Sequence, residues 1–248
     1  MHVNKTRHQG NSSEKPGTGS GVFEQRRHRM VDLQIAGRGV KDTLVLAAMH
    51  KVAREEFLPA DLREFAYGDG ALPIGCGQTI SQPYIVAMMT EALELKGGER
   101  VLEIGTGSGY AAAVLAEIAG KVISIECVKE LADRARATLT EMNYTNVTVM
   151  EGDGTKGYEP SAPYDGIVVT AGGPDVPQSL RNQLKIGGRL VIPVGTSQTM
   201  QTLIRVTRHG DEQFSEENLC SVRFVPLIGE EGWHYSHHGN WSNPTNQW

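Results

Sequence analysis

Between Lys51 and Arg208 the chain has no histidine. All eight (His2, His8, His28, His50, His209, His234, His237 and His238) lie toward the ends. Chemistry centred in that stretch therefore moves no proton through an imidazole, the side chain best matched to neutral pH. The three cysteines, Cys76, Cys127 and Cys220, are odd in number, widely spaced and form no CxxC pair. That pattern argues against a disulfide scaffold or a zinc site. His234, His237 and His238 fall in a polar tail without an acidic or cysteine partner spaced to complete a ligand set, so no metal is expected. Basic charge is scarce as well. Against 29 Asp and Glu stand 24 Lys and Arg, a net −5 that gives no field for nucleic acid or an anionic membrane. No apolar run approaches the roughly 18–20 residues of a membrane span, and the first twenty residues lack the apolar stretch of a secretory signal. The expectation is a cytoplasmic monomer that works without nucleic acid or membrane.

What is present is regular. Residues 1–28 are polar and are expected to be loosely attached. The segment from Gly229 is equally poor in aliphatics but holds all three tryptophans, which either fold back or decorate a free end. In between, "DTLVLAAMHKVA" reads as a helix with Asp42 as N-cap, and "PYIVAMMTEALEL" as a second opening on Pro83. Strands "RVLEIG", "KVISIE", "VTVMEGD", "YDGIVVTAG" and "GRLVIPVG" then alternate with helices "YAAAVLAEIA", "KELADRARATLTEM" and "PQSLRNQL". Alternation with near-continuous apolar strands predicts an α/β fold: a mostly parallel central sheet with helices on both faces. "QTLIRVT" and "VRFVPLI" have no helix between them, which predicts an antiparallel C-terminal edge.

"VLEIGTGSGY" carries the first clear chemistry. Gly105, Thr106, Gly107, Ser108 and Gly109 form a loop after an apolar strand and before a helix, where glycines permit a tight turn and close ligand approach. A second strand ends at Glu126, 21 residues after Gly105, where a carboxylate can accept both hydroxyls of a ribose. A dinucleotide site and an S-adenosylmethionine site both use this frame. Tyr110 replaces the last glycine of GxGxxG, and Glu103 would place an acid where a pyrophosphate lies. Asp153 and Gly154 in "EGDG" follow the third strand, with Asp153 either meeting an adenine amino group or serving a plain turn. Together these favour S-adenosylmethionine, with S-adenosylhomocysteine as product.

"PIGCGQTISQP" (Pro73–Pro83) has too many turn formers for a helix or a core strand, and reads as a loop. With this segment, "VLEIGTGSGY", "GDG", "GGRLVIPVG" and "VRFVPL", the chain resembles the protein-L-isoaspartate O-methyltransferases across about residues 29–228. The resemblance implies a Rossmann-like methyltransferase domain, with helices and a substrate loop in 29–95, the cofactor sheet in 96–228, and a tail in 229–248. It also implies methylation of the free carboxylate of L-isoaspartyl residues in damaged proteins and peptides. Ser81 then matches the active-site serine, with Thr79 beside it. Segment Thr79–Ser81 lies at the mouth of the cofactor pocket, and Ile80, Gln82 and Gln201 fall on the substrate side. Glu126 and Asp153 match the ribose and adenine contacts. Cys76 departs from the bulky residue expected between the two glycines.

An isoaspartyl carboxylate, with a pKa of about 4, needs no general base at neutral pH. That fits the histidine-free centre. Two uses of Ser81 stay open, orienting that carboxylate or capping the helix begun at Pro83. A methyltransferase for a small molecule or RNA, and a protein that binds without turnover, are the rival readings.

Overall fold

A computed structural model describes residues 20–197, 200–235 and 241–242. Its centre is a seven-stranded sheet in the order β5-β4-β3-β6-β7-β8-β9. Strands β3 (Arg100–Ile104), β4 (Lys121–Glu126), β5 (Val147–Glu151), β6 (Tyr164–Val169) and β7 (Leu184–Ser197) run parallel. β8 (Met200–Arg208) and β9 (Phe214–Val222) add to β7 as antiparallel strands. Side chains alternate across the sheet. Val101, Val122, Val168 and Val191 point into one apolar cluster with α2 (Thr43–Lys51), α3 (Pro83–Ala92), α4 (Tyr110–Ala116) and α5 (Lys129–Glu141). Leu102, Ile123, Ile167 and Leu190 point into the other, with Leu180 of α6 (Gln178–Gln183). Burial on both faces is why these strands read as apolar runs rather than as alternation.

β4 and β5 lie on one side of β3, and β6 on the other. The direction of winding reverses there, and a crevice opens beyond the carboxyl ends of β3 and β6. The two loops that border it begin at Gly105 and Thr170.

Two sequence readings change at the ends. Helix α1 (Ser20–Met30) starts inside the stretch expected to be a loose tail. Phe23 packs against Tyr67, and the Arg27 guanidinium donates from Nε to the His50 carbonyl at 2.6 Å. Those partners lie some 23–44 residues downstream, so no local pattern announces the anchor. The final strand of the central sheet is not "VRFVPLI" but Phe214–Val222, a mostly exposed strand whose Glu216 pairs with Arg181 and whose Glu217, on the opposite face, pairs with Arg205. Charges suit an edge strand and hide it from an apolar pattern. After Val222 the chain leaves the sheet instead and crosses toward the crevice, where Leu227 N donates to the Gly172 carbonyl at 2.8 Å. Trp233 folds back and is buried, its indole N–H donating to Gly172 at 2.9 Å. His237, His238 and Trp248 lie outside the described residues.

Candidate active site

The segment read as a loop is a β-hairpin. β1 (Leu72–Gly75) pairs with β2 (Gln78–Ile80), and Cys76 and Gly77 form the two-residue turn. Both turn residues have positive φ, 52° and 69°, as the hairpin turn that matches strand twist requires. Cys76 thus occupies a backbone conformation that glycine or asparagine adopts more readily. The two isoleucines explain how so polar a segment is held: Ile74 and Ile80 are both buried. Arg134 of α5 adds a clamp, donating from Nη2 to the Ile74 carbonyl at 2.7 Å.

This anchoring presents Thr79 and Ser81 at a junction. Two cavities meet there, one of about 100 Å³ against the glycine loop and one of about 850 Å³ against the Ser221–Pro226 segment. Thr79, Ser81, Thr170, Val225 and Pro226 line both. The N-cap of α3 is Gln82, which makes no capping side-chain bond, and Pro83 fills the first turn without an N–H to satisfy. Ser81 therefore caps nothing. Its hydroxyl, half-buried, makes no hydrogen bond with any described residue and is free to serve a ligand.

The lining of the narrower cleft suits an adenosyl group. Gly105, Thr106, Gly107, Ser108 and Gly154 line it, with Ile104, Ile125, Val128 and Leu227 as apolar walls suited to a purine face. A Cβ on Gly105 would sit 2.4 Å from Thr170 Oγ1, and one on Gly154 equally close to Ile104 Cγ2, so neither position admits a side chain without movement. Gly109 does not line the cleft. At φ 90° it precedes α4 and packs against Leu139 of α5. Glu126 lines the cleft with its carboxylate fixed by backbone, Oε2 accepting from Gly107 N at 2.8 Å and Oε1 from Val128 N at 3.0 Å. The amide that a phosphate would seek already faces an acid. The arrangement suits a ribose diol and opposes a pyrophosphate.

Besides Gly109, three predicted site residues sit elsewhere. Glu103 is fully buried beneath the loop and lines neither cavity. The Ser124 hydroxyl donates to its Oε2, Ser124 Oγ in turn lies 2.6 Å from Thr106 Oγ1, and Oε1 has no partner. Burial, helped by the charge of Glu126, pushes its carboxyl up to about 8 against the favourable Ser124 bond, so it is uncharged at neutral pH. Its charge therefore repels no pyrophosphate; its role is to brace Thr106 from below. Asp153 also turns away from the cleft. Its Oδ1 accepts from Thr155 N and Oγ1 at 2.9 and 2.6 Å, and its Oδ2 from Glu230 N at 2.8 Å. It ties down the strap after Leu227, where a Cβ on Gly229 would overlap it. Gln201 is 2% exposed and points inward. Its Oε1 accepts from Phe224 N at 2.7 Å and its Nε2 donates to Phe224 O at 3.2 Å, so it copies a strand pairing and holds the shared wall.

Ile80 lines the cofactor cleft rather than the wider groove. Gln82 does line that groove, oriented by donation to Asp69 Oδ1 at 2.6 Å. Sequence reasoning missed Thr170, whose hydroxyl donates to the Gly105 carbonyl at 2.7 Å and braces the glycine loop across the switch point. Its place just past the strand that reverses the winding order was the available signal. Gln78 and the Val225–Ile228 wall were missed too.

The chain matches the family model for protein-L-isoaspartate(D-aspartate) O-methyltransferase over residues 25–232. It is 62% identical over 211 residues to protein-L-isoaspartate O-methyltransferase 1 of Rhodopseudomonas palustris (strain HaA2), covering 85% of this chain and 86% of that one. It is 54% identical over 209 residues to the protein-L-isoaspartate O-methyltransferase of Methanoculleus marisnigri, covering 84% and 94%. A solved protein-L-isoaspartate O-methyltransferase superposes with a TM-score of 0.76 at 31% identity, over 83% of this chain and 67% of that one. From the matched length, the identities and the shared fold, the chain belongs to the protein-L-isoaspartate(D-aspartate) O-methyltransferase family.

Proposed function

We infer that this enzyme methylates the free carboxylate of L-isoaspartyl residues in proteins and peptides, using S-adenosylmethionine. The methyl ester of such a residue collapses to a succinimide that can reopen as normal aspartate, so the reaction begins a repair. One observation carries the reading: the unengaged Ser81 hydroxyl stands where a cleft suited to an adenosyl group opens into a groove wide enough for a peptide. Bound in the cleft, S-adenosylmethionine supplies a methyl on a positively charged sulfur.

The rest falls to the chain. At neutral pH the substrate carboxylate is already ionised, its pKa being about 4, so no side chain has to remove a proton. Consistent with that, no described residue lining either cavity is a histidine. Ser81 donates its O–H to the carboxylate and fixes which oxygen faces the cleft, and Thr79 assists at the same threshold. Opposite charges cancel along the reaction, so water would stabilise the separated reactants more than the reacting pair. Apolar residues on both sides of the junction, Ile80, Val86 and Val225 among them, keep that water out. Positioning and exclusion of solvent are the work of the site. The three cysteines are free thiols, in keeping with a reducing cytoplasm. The net charge of −5 favours a protein substrate over nucleic acid.

Incubation with methyl-labelled S-adenosylmethionine and an isoaspartyl peptide, beside its normal aspartyl twin, tests the proposal. Base-labile label in the isoaspartyl peptide alone is the expected result. Label in both peptides, or in neither, overturns it.

A further inference from the structure

The wider groove carries a charge that methyl transfer does not use. Among its described lining residues Arg223 is the one charged side chain. Its neighbours there are neutral: Ile85, Met200 and Phe224 are apolar, and Thr79, Ser81 and Gln82 are uncharged polar groups. Arg223 is exposed and makes no hydrogen bond or ion pair with any described residue. The acid that Gln82 holds is itself already paired. Asp69, reached through Gln82, is already held by Arg38, with Nη1 3.1 Å from Oδ2. Elsewhere along β8 and β9 the arginines are matched: Arg205 pairs with Glu94 and Glu217, and Arg208 donates to the Leu184 carbonyl. Arg223 thus stands as an unneutralised guanidinium beside a groove whose substrate is anionic, in a chain of net charge −5.

A guanidinium presents a planar fork of donors suited to a carboxylate. The isoaspartyl carboxylate itself has to face Ser81 and the cleft, so Arg223 is left for a different one. Resting on the reading of the groove given above, we propose that Arg223 is a specificity-determining residue that binds a second carboxylate of the substrate, next to the isoaspartyl residue in sequence. Two groups offer that chemistry, the side chain of a flanking aspartate or glutamate and the terminal carboxylate of a peptide whose isoaspartyl residue lies near its end. At an exposed rim such a pair gives about a two- to five-fold preference, screened by salt.

The test uses one isoaspartyl peptide in four forms, with Glu or Gln beside the isoaspartyl residue and a free or amidated C-terminus. KM and kcat are measured for the wild type, Arg223→Gln and Arg223→Glu. In the wild type the Glu peptide is expected to show about a two- to five-fold lower KM than the Gln peptide at unchanged kcat, and the difference to vanish in about 0.5 M salt. Arg223→Gln should abolish the preference and Arg223→Glu should invert it, while the amidated Gln peptide, which has no second carboxylate, is turned over equally by all three. A preference that follows the free C-terminus instead identifies the terminal carboxylate as the group bound. If the Glu/Gln and free/amidated ratios are the same in all three proteins, Arg223 reads no second carboxylate and the proposal fails. If the wild type turns over none of the peptides, the reading of the groove fails and takes the proposal with it.

Discussion

Replacing Gln201 with leucine should damage the fold and both ligand sites together. The side chain is 2% exposed and satisfies both backbone polar groups of Phe224, at 2.7 and 3.2 Å. Leucine nearly fills the same volume but accepts and donates nothing. It leaves an N–H and a C=O without partners in a half-buried wall, each costing about 1–3 kcal/mol when fully enclosed. Allowing for some access of water, the loss is about 2–4 kcal/mol, or about 5–15 °C in Tm for a chain of this size. Phe224 leads directly into Val225 and Pro226, which line both cavities, so slack there reaches the cleft and the groove alike. The Michaelis constants for cofactor and peptide should therefore rise together, with Gln201→Glu intermediate because it still accepts from Phe224 N–H. Thermal unfolding and two-substrate kinetics on the three proteins read the effect. An unchanged Tm with only the peptide KM raised would mean that Gln201 touches substrate directly, and would refute the positioning role.

Other consequences are equally direct. Ser81→Ala removes one hydrogen bond to a charged group, worth about 1.5–3 kcal/mol, so kcat/KM should fall about 10- to 150-fold. Since Ser81 caps no helix, Tm should stay within about 1 °C, and a clear drop in Tm would restore the capping role. Glu126→Gln should weaken S-adenosylmethionine binding about ten-fold or more by calorimetry, because one amide that the carboxylate now accepts from would face a donor. Glu103 links stability to pH. Its unfolded carboxyl releases a proton near 4.5 while the folded one holds it to about 8, so the folded state binds more protons in that window. Its contribution is full below the lower value and lost as pH rises to the upper, by about 1.4 kcal/mol per pH unit. Denaturant titrations of Glu103→Gln should show a shallower decline across the window; parallel curves for variant and wild type would contradict the assignment.

The parallel core was legible because its strands are buried on both faces, and "KVISIE" marks β4 from Lys121 to Glu126 with no residue to spare. The glycine loop and Glu126 were legible for a related reason: ligand approach and tight packing both demand residues that a sequence displays openly. What stayed hidden depended on distant partners. Nothing near Gln201 in sequence announces that its amide will meet Phe224, 23 residues later. Asp153 is similarly claimed by Glu230 across 77 residues. Glu103 was placed correctly along the chain but on the wrong side of it, since the strand period sends its side chain beneath the loop toward Ser124. The hairpin was misread because Ile74 and Ile80, which hold it down, are separated by turn formers that dominate any local pattern. Edge strand β9 was concealed by the very charges that keep such an edge from pairing with another chain.

The central claim is that Ser81 holds the acceptor carboxylate against the methyl donor with no base between them. A crystal structure with S-adenosylhomocysteine and an isoaspartyl peptide tests it most directly. The account predicts the adenosine beside Glu126, the peptide carboxylate about 2.5–3 Å from Ser81 Oγ, and the sulfur turned toward that carboxylate. A sulfur directed away from Ser81, or a carboxylate bound beyond its reach, would contradict it.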